Sequence, residues 1–141
     1  MILRLLQEDA RQPATEIAKH MKITAGAVRR RIERLEEREI ISHYTVVLNH
    51  AKVGPSVEAY LEVNFQAGTD VPAFLAEAVA RAEIREASTI AGDPDAIVRL
   101  RVDSLEHLRE TVTELRSSWP ITSSKTLVAL DRYRHVALQD G

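Results

Sequence analysis

Thr24-Ala25-Gly26-Ala27-Val28-Arg29-Arg30-Arg31-Ile32-Glu33-Arg34-Leu35-Glu36-Glu37 is the stretch on which the reading of this chain turns. Val28, Ile32 and Leu35 fall at i, i+4 and i+7, the spacing of one buried helical stripe. Thr24 is a good N-cap, because its hydroxyl accepts an orphan N–H of the following turn. At about 100° per residue, Gly26, Arg30, Glu33 and Glu37 point away from the stripe, with Arg29 and Arg34 on its flanks and Arg31 nearer to it. Ala25, Gly26 and Ala27 leave the first turn uncrowded. Upstream, Ile2, Leu3, Leu5 and Leu6 form an apolar cluster that ends at Glu8-Asp9, and Arg11-Gln12-Pro13 breaks it. A second helix then runs from Pro13 or Ala14 to His20, with Ile17, Ala18 and Met21 on one face. Lys22-Ile23 separates it from Thr24. Downstream, Ile40 to Leu48 is rich in β-branched residues and predicts one or two strands.

The second half alternates strand and helix signals. Val57, Ala59, Leu61, Val63 and Phe65 alternate with polar neighbours, so a half-buried strand is expected. Asp70 and Pro72 open a helix whose buried face is Phe74, Leu75, Ala78, Val79 and Ala82. Ile84 to Ala91 reads as a second strand, Gly92-Asp93-Pro94-Asp95 as a tight turn and Ala96 to Val102 as a third strand. Asp103 or Ser104 caps a second helix, with Leu105, Leu108, Val112 and Leu115 on its buried stripe. Trp119-Pro120 ends it, and Ser124 to Leu130 is a fourth strand. This β-α-β-β-α-β order is the ferredoxin-like pattern, with two helices on one sheet face. The predicted class is α+β: residues 1–48 as a winged helix-turn-helix, 49–55 as a linker ending in Gly-Pro, 56–131 as the ferredoxin-like domain and 132–141 as a tail.

A chain of 141 residues fits two small domains of this kind. It has no cysteine, which excludes disulfides, thiolate metal sites and cysteine nucleophiles. No stretch approaches the ~18 apolar residues of a membrane span. The start turns acidic at Glu8-Asp9, too soon for a signal peptide, and a cytoplasmic location is expected. The net charge of −2 is unevenly spread. Residues 1–55 carry 10 Lys+Arg and 7 Asp+Glu; residues 56–141 carry 9 and 14. A basic module is thus joined to an acidic one.

Helix, short turn, capped helix and strands together describe a winged helix-turn-helix. Such units place the second helix of the pair in the major groove, with its N-terminal residues at base edges. Arginine suits that surface because its planar fork pairs with guanine or phosphate. Thr24, Ala25, Gly26, Ala27, Arg29, Arg30 and Arg34 are therefore the candidate contacts with double-stranded DNA. The competing reading is a solvated helix face on which the arginines pair with Glu33, Glu36 and Glu37.

The run Leu6-Gln7-Glu8-Asp9-Ala10-Arg11, Glu16-Ile17-Ala18, Ile23-Thr24, Val28 to Glu36 and Ile40 to Tyr44 resembles the N-terminal domain of the Lrp/AsnC family. The second half resembles that family's regulatory domain, and Ile90-Ala91-Gly92-Asp93-Pro94-Asp95 matches its turn between the second and third strands. The resemblance implies a homo-oligomeric transcriptional regulator, a dimer assembling further to an octamer. It also implies a small-molecule effector, commonly an amino acid, held between regulatory domains near Gly92, Asp93 and Asp95. Carried to the fourth strand, it adds Leu127, Val128 and Ala129. The chain departs from the pattern at Ala10, Glu39 and His43, where the family often has glycine, and after Pro120, where a usual glycine is missing. The family usually begins some residues earlier, so either the first helix here is shortened or Met1 is not the native start.

Physical chemistry is compatible with such a site, because glycine allows close backbone approach and a carboxylate pairs with an amino group. Asp-Pro-Asp is also ordinary turn chemistry. The free sheet face and the Tyr44–Leu48 segment are expected to pair between copies. Nothing in the sequence calls for a metal or cofactor: His20, His43, His50, His107 and His135 lack ligand-like spacing, and Asp93 and Asp95 read as a turn rather than a metal pair. The one enzymatic alternative is a siroheme decarboxylase, a class that resembles this family in both domains and would recruit His43 with Arg99 or Arg101.

Overall fold

The computed structural model describes residues 1–133. His135 and most of the 132–141 tail lie outside the described residues. The chain divides into two compact units, Met1–Val47 and Leu48–Arg132. Among the described residues no helix is long and apolar enough to cross a membrane.

The first unit contains α1 (Ile2–Glu8), α2 (Ala14–Met21) and α3 (Ala25–Glu37). Their apolar faces meet in a small core of Ile2, Leu5, Ile17, Ala18 and Val28. Ile32 and Leu35 pack against that core but are only partly buried. So the stripe of α3 is deepest at its N-terminal end. Pro13, in extended conformation, precedes α2. Its missing N–H costs nothing there, since the first helical N–H groups are unpaired anyway. Lys22 ends α2 in the left-handed region at φ 55°. Glu39 adopts the same φ just after α3, where Ile40 N–H donates to the Leu35 carbonyl at 2.9 Å. Both turns use a left-handed residue that is not glycine, at a cost of roughly 1–2 kcal/mol each.

The strands expected over Ile40–Leu48 are not formed. The segment is irregular chain with Tyr44, Val46, Val47 and Leu48 exposed by 51, 76, 65 and 51%. Its residue types favour a ladder, but it forms no strand, and a strand exists only through its pairing. The expected linker is also not featureless, since α4 (His50–Val53) occupies it and Gly54 closes it at φ 156°.

The second unit continues with β1 (Val57–Phe65), α5 (Val71–Val79), β2 (Ile84–Thr89), β3 (Ala96–Val102), α6 (Leu105–Ser118) and β4 (Ile121–Val128). The sheet is antiparallel, in the order β2-β3-β1-β4, which is the ferredoxin-like topology. Ala59, Leu61, Val63 and Phe65 of β1 share the inner face with Ala96, Val98, Leu100 and Val102 of β3, and α5 and α6 cover that face. Phe74 lies edge-on between Phe65 at 4.8 Å and Trp119 at 5.5 Å. Asp70 caps α5 through Ala73 N–H at 3.0 Å, and Ser104 caps α6 through His107 N–H at 3.1 Å.

Several boundaries differ from expectation. α5 stops at Val79, and Val79 and Ala82 are exposed rather than part of its buried face. Leu105 sits in the first turn of α6 and is 64% exposed, while Thr111 is buried in its place. Thr111 remains satisfied by donating its hydroxyl to the His107 carbonyl at 2.9 Å. β2 ends at Thr89, two residues early. β4 begins at Ile121 and ends at Val128, because pairing with β1 starts immediately after Pro120.

Candidate nucleic-acid interface and effector site

In the first unit, α2 and α3 are separated by three residues, Lys22 to Thr24. Thr24 Oγ1 accepts the Ala27 N–H at 3.2 Å and so fixes the start of α3. Gly26, Arg29, Arg30, Arg31 and Arg34 are exposed. A side chain at Gly26 would meet open space, so nothing within the chain requires glycine there. No ion pair among the described residues engages Arg29, Arg30, Arg31 or Arg34. The expected alternative, neutralisation by Glu33, Glu36 and Glu37, is thus not the geometry seen. Glu36 instead accepts the Tyr44 hydroxyl at 2.7 Å, and that hydrogen bond holds the Tyr44 phenol above its usual range. The outcome is a capped helix carrying four unpaired guanidinium groups, a surface suited to phosphates and base edges.

In the second unit, the outer sheet face is the one that α5 and α6 do not cover. Near the start of β1 it carries an ion-pair cluster. Glu58 Oε1 accepts Arg99 Nε at 2.6 Å, Glu58 Oε2 accepts Arg101 at 2.9 Å, and Arg132 binds the same carboxylate. The Glu58, Arg101 and Arg99 side chains are 11, 12 and 19% exposed. Burial pushes the Glu58 carboxyl up, but hydrogen bonds from Arg101 and Arg99 and their charges outweigh it and hold it below the ordinary carboxylate range. Arg101 also donates to His50 Nε2. The ring must be neutral to accept, and burial with the charges of Arg101 and Arg85 depresses its pKa.

At the opposite end of β1, Asn64 organises the 92–95 turn. Its amide nitrogen donates to Asp93 Oδ1 at 3.1 Å and to Ser123 Oγ at 3.3 Å, and its amide oxygen accepts the Asp95 N–H at 2.9 Å. Asp95 Oδ2 accepts the Phe65 N–H at 2.9 Å, beside the register shift between Asn64 and Phe65. Gly92 has φ 136°, so its backbone conformation requires glycine rather than any close approach of another group. A polar pocket of about 360 Å³ opens beside this turn, lined by Glu62, Asn64, Asp93, Pro94, Ser123, Ser124 and Lys125.

Within one chain the six sequence-predicted effector residues do not converge. Asp93 lines the polar pocket, whereas Asp95 lines a separate hollow with Phe65 and Gly68. Leu127 pairs with Tyr60 and Val128 with Ala59, and Ala129 N–H donates to the Glu58 carbonyl. These three lie four to six residues beyond Ser123, on the order of 13–20 Å away. Asn64, Glu62, Ser123 and Lys125 were not foreseen. Their signal is the polar half of the β1 alternation, which gains meaning only once β4 is known to be its neighbour.

Comparison with known proteins agrees with both halves. Residues 1–42 match a family model described as winged helix-turn-helix DNA-binding, and residues 58–137 match the Lrp/AsnC ligand binding domain. An HTH-type transcriptional regulator of Mycobacterium tuberculosis, Rv2324, is 33% identical over 130 residues, covering 92% of this chain and 87% of its own. The structure of Escherichia coli AsnC superposes with a TM-score of 0.83 at 21% identity, over 97% of this chain and 94% of that one. A Neisseria meningitidis regulator, NMB0573, solved in complex with L-Met, gives a TM-score of 0.83 at 20% identity, over 98% and 92%.

Proposed function

From the chain's membership of the Lrp/AsnC family of helix-turn-helix transcriptional regulators, we propose that α3 is its recognition helix. Arg29, Arg30 and Arg34 contact phosphates or base edges, and Thr24 and Ala25 to Ala27 allow close approach to the groove. The observation that carries this is the set of exposed guanidinium groups left without carboxylate partners on a capped helix after a three-residue turn. The protein works as a homo-oligomer, a dimer that assembles further. Tyr44 to Leu48 and the outer sheet face supply the surfaces, because an exposed apolar run and an uncovered sheet face are each stabilised by a second copy. An amino acid at the Gly92–Asp95 turn shifts the population of assemblies by binding one more tightly than another. Leu127, Val128 and Ala129 reach that site only from a neighbouring copy.

A siroheme decarboxylase reading is less well supported, since Arg99 and Arg101 are already bound to Glu58. Absence of a Soret band after siroheme addition is the expected result.

The test is an electrophoretic mobility shift with DNA upstream of the protein's own gene, at two salt concentrations, with and without an amino-acid mixture. Specific, salt-sensitive binding is expected. Arg29→Ala and Arg30→Ala each lower the slope of log affinity against log salt by about one. An unchanged slope and affinity in both variants overturns the docking of α3. A monomer at micromolar concentration by light scattering overturns the oligomer.

A further inference from the structure

The polar pocket beside the 92–95 turn is lined by more negative than positive side chains. Glu62 and Lys125 are opposed across β1 and β4, as are Asn64 and Ser123. All four belong to the outer sheet face, and Asp93 with Pro94 closes one side. Among the described residues, Glu62 accepts no hydrogen bond, although its side chain is only 29% exposed. Its nearest cation is Lys125 Nζ at 3.9 Å, on a side chain that is 68% exposed. Asp93 has one oxygen engaged, by the Asn64 amide. Glu62 and Asp93 contribute two negative charges and Lys125 one positive charge, so the pocket holds a net charge of −1.

We propose that the effector of this site is a dibasic amino acid of the lysine, ornithine or arginine class. The inference rests on the reading that an amino acid binds at this turn, and goes beyond it by naming the side chain. The zwitterionic part of any amino acid occupies one carboxylate with its ammonium and Lys125 with its carboxylate. One carboxylate then remains, and burying it without a cation is unfavourable. A side-chain ammonium or guanidinium neutralises it through a charge-assisted hydrogen bond. An aliphatic side chain leaves it unpaired, whatever apolar contact it makes. A second acidic group adds repulsion.

Calorimetric titration of the full-length protein with L-lysine, L-arginine, L-norleucine, L-methionine and L-glutamate tests this. Norleucine keeps the length of lysine but lacks its terminal ammonium, so the pair isolates that group. Lysine or arginine is expected to bind about tenfold or more tightly than norleucine and methionine, the scale of one charge-assisted hydrogen bond. Glu62→Gln is expected to reduce lysine affinity by a similar factor and to erase most of lysine's advantage over norleucine. Norleucine or methionine binding as well as lysine overturns the assignment and leaves the amino-acid effector standing. Binding of glutamate alone also overturns it. Binding of none of the five, with the mobility shift likewise unresponsive to the full amino-acid mixture, removes both.

Discussion

Replacing Glu58 by alanine is the most severe single test of the second unit. The carboxylate is 11% exposed and is shared by Arg99, Arg101 and Arg132, whose side chains are 19, 12 and 31% exposed. Without it, Arg99 retains only Glu86 at 3.7 Å, and Arg101 retains only the neutral His50 ring. Two largely buried cations are then left without adequate partners, a change that typically costs about 3–5 kcal/mol. For a unit of this size, 3 kcal/mol lowers the midpoint of thermal unfolding by roughly 12–24 °C. Trp119 is the sole tryptophan and packs on Phe74, so its fluorescence reports this unit alone. Urea unfolding at pH 7 followed at Trp119 is expected to show a lower midpoint with an unchanged slope. The effect is also pH-dependent. The folded-state pKa of Glu58 lies below that of a free glutamate, so its contribution is complete above the ordinary glutamate range and is lost as pH falls through the depressed folded-state value. The gap between wild type and Glu58→Ala therefore narrows under acid. A loss under about 1 kcal/mol at pH 7 would place the cluster with weak surface pairs and refute the reasoning.

Other substitutions probe the first unit, each measured without DNA. Thr24→Ala removes the hydroxyl that accepts the Ala27 N–H and is expected to cost about 1 kcal/mol, while Thr24→Ser keeps most of the stability; equal loss in both variants counts against the cap. Glu39→Gly relieves a left-handed backbone and is expected to stabilise by about 0.5–1 kcal/mol in helix melting followed by circular dichroism, with destabilisation as the contrary result.

The architecture was legible where side-chain period and capping chemistry act locally. Thr24, Asp70 and Ser104 each cap the helix their position announces, and the alternation of Val57 to Phe65 identifies the inner face of β1. Legibility failed where the outcome depends on a distant partner. Ile40 to Leu48 has strand-forming residues but forms no strand, since strand formation needs a pairing partner that residue types alone do not supply. Leu105 fits the helical stripe but sits in the first turn of α6, where it stays exposed. Glu58, Arg99 and Arg101 read as polar strand positions, and only the β1–β3 register turns them into a cluster. The effector candidates divided in the same way. The Gly92–Asp95 turn is readable as a turn from its own residues, but the pocket beside it takes Glu62, Asn64, Ser123 and Lys125 from two strands separated by about sixty residues of chain.

Asn64 ties three stretches of chain with one amide: the turn at Asp93 and Asp95, its own strand and Ser123. An amide both donates and accepts, and each of these bonds uses that dual character. Aspartate there would offer two acceptors, facing Asp93 with a like charge; leucine would offer none. Glu62 and Lys125 share the pocket without taking part in the amide's bonds. Under the proposed assignment, a descendant of this chain can change its ligand preference at Glu62 or Lys125 without disturbing the frame, whereas Asp93 serves both and is not free to vary.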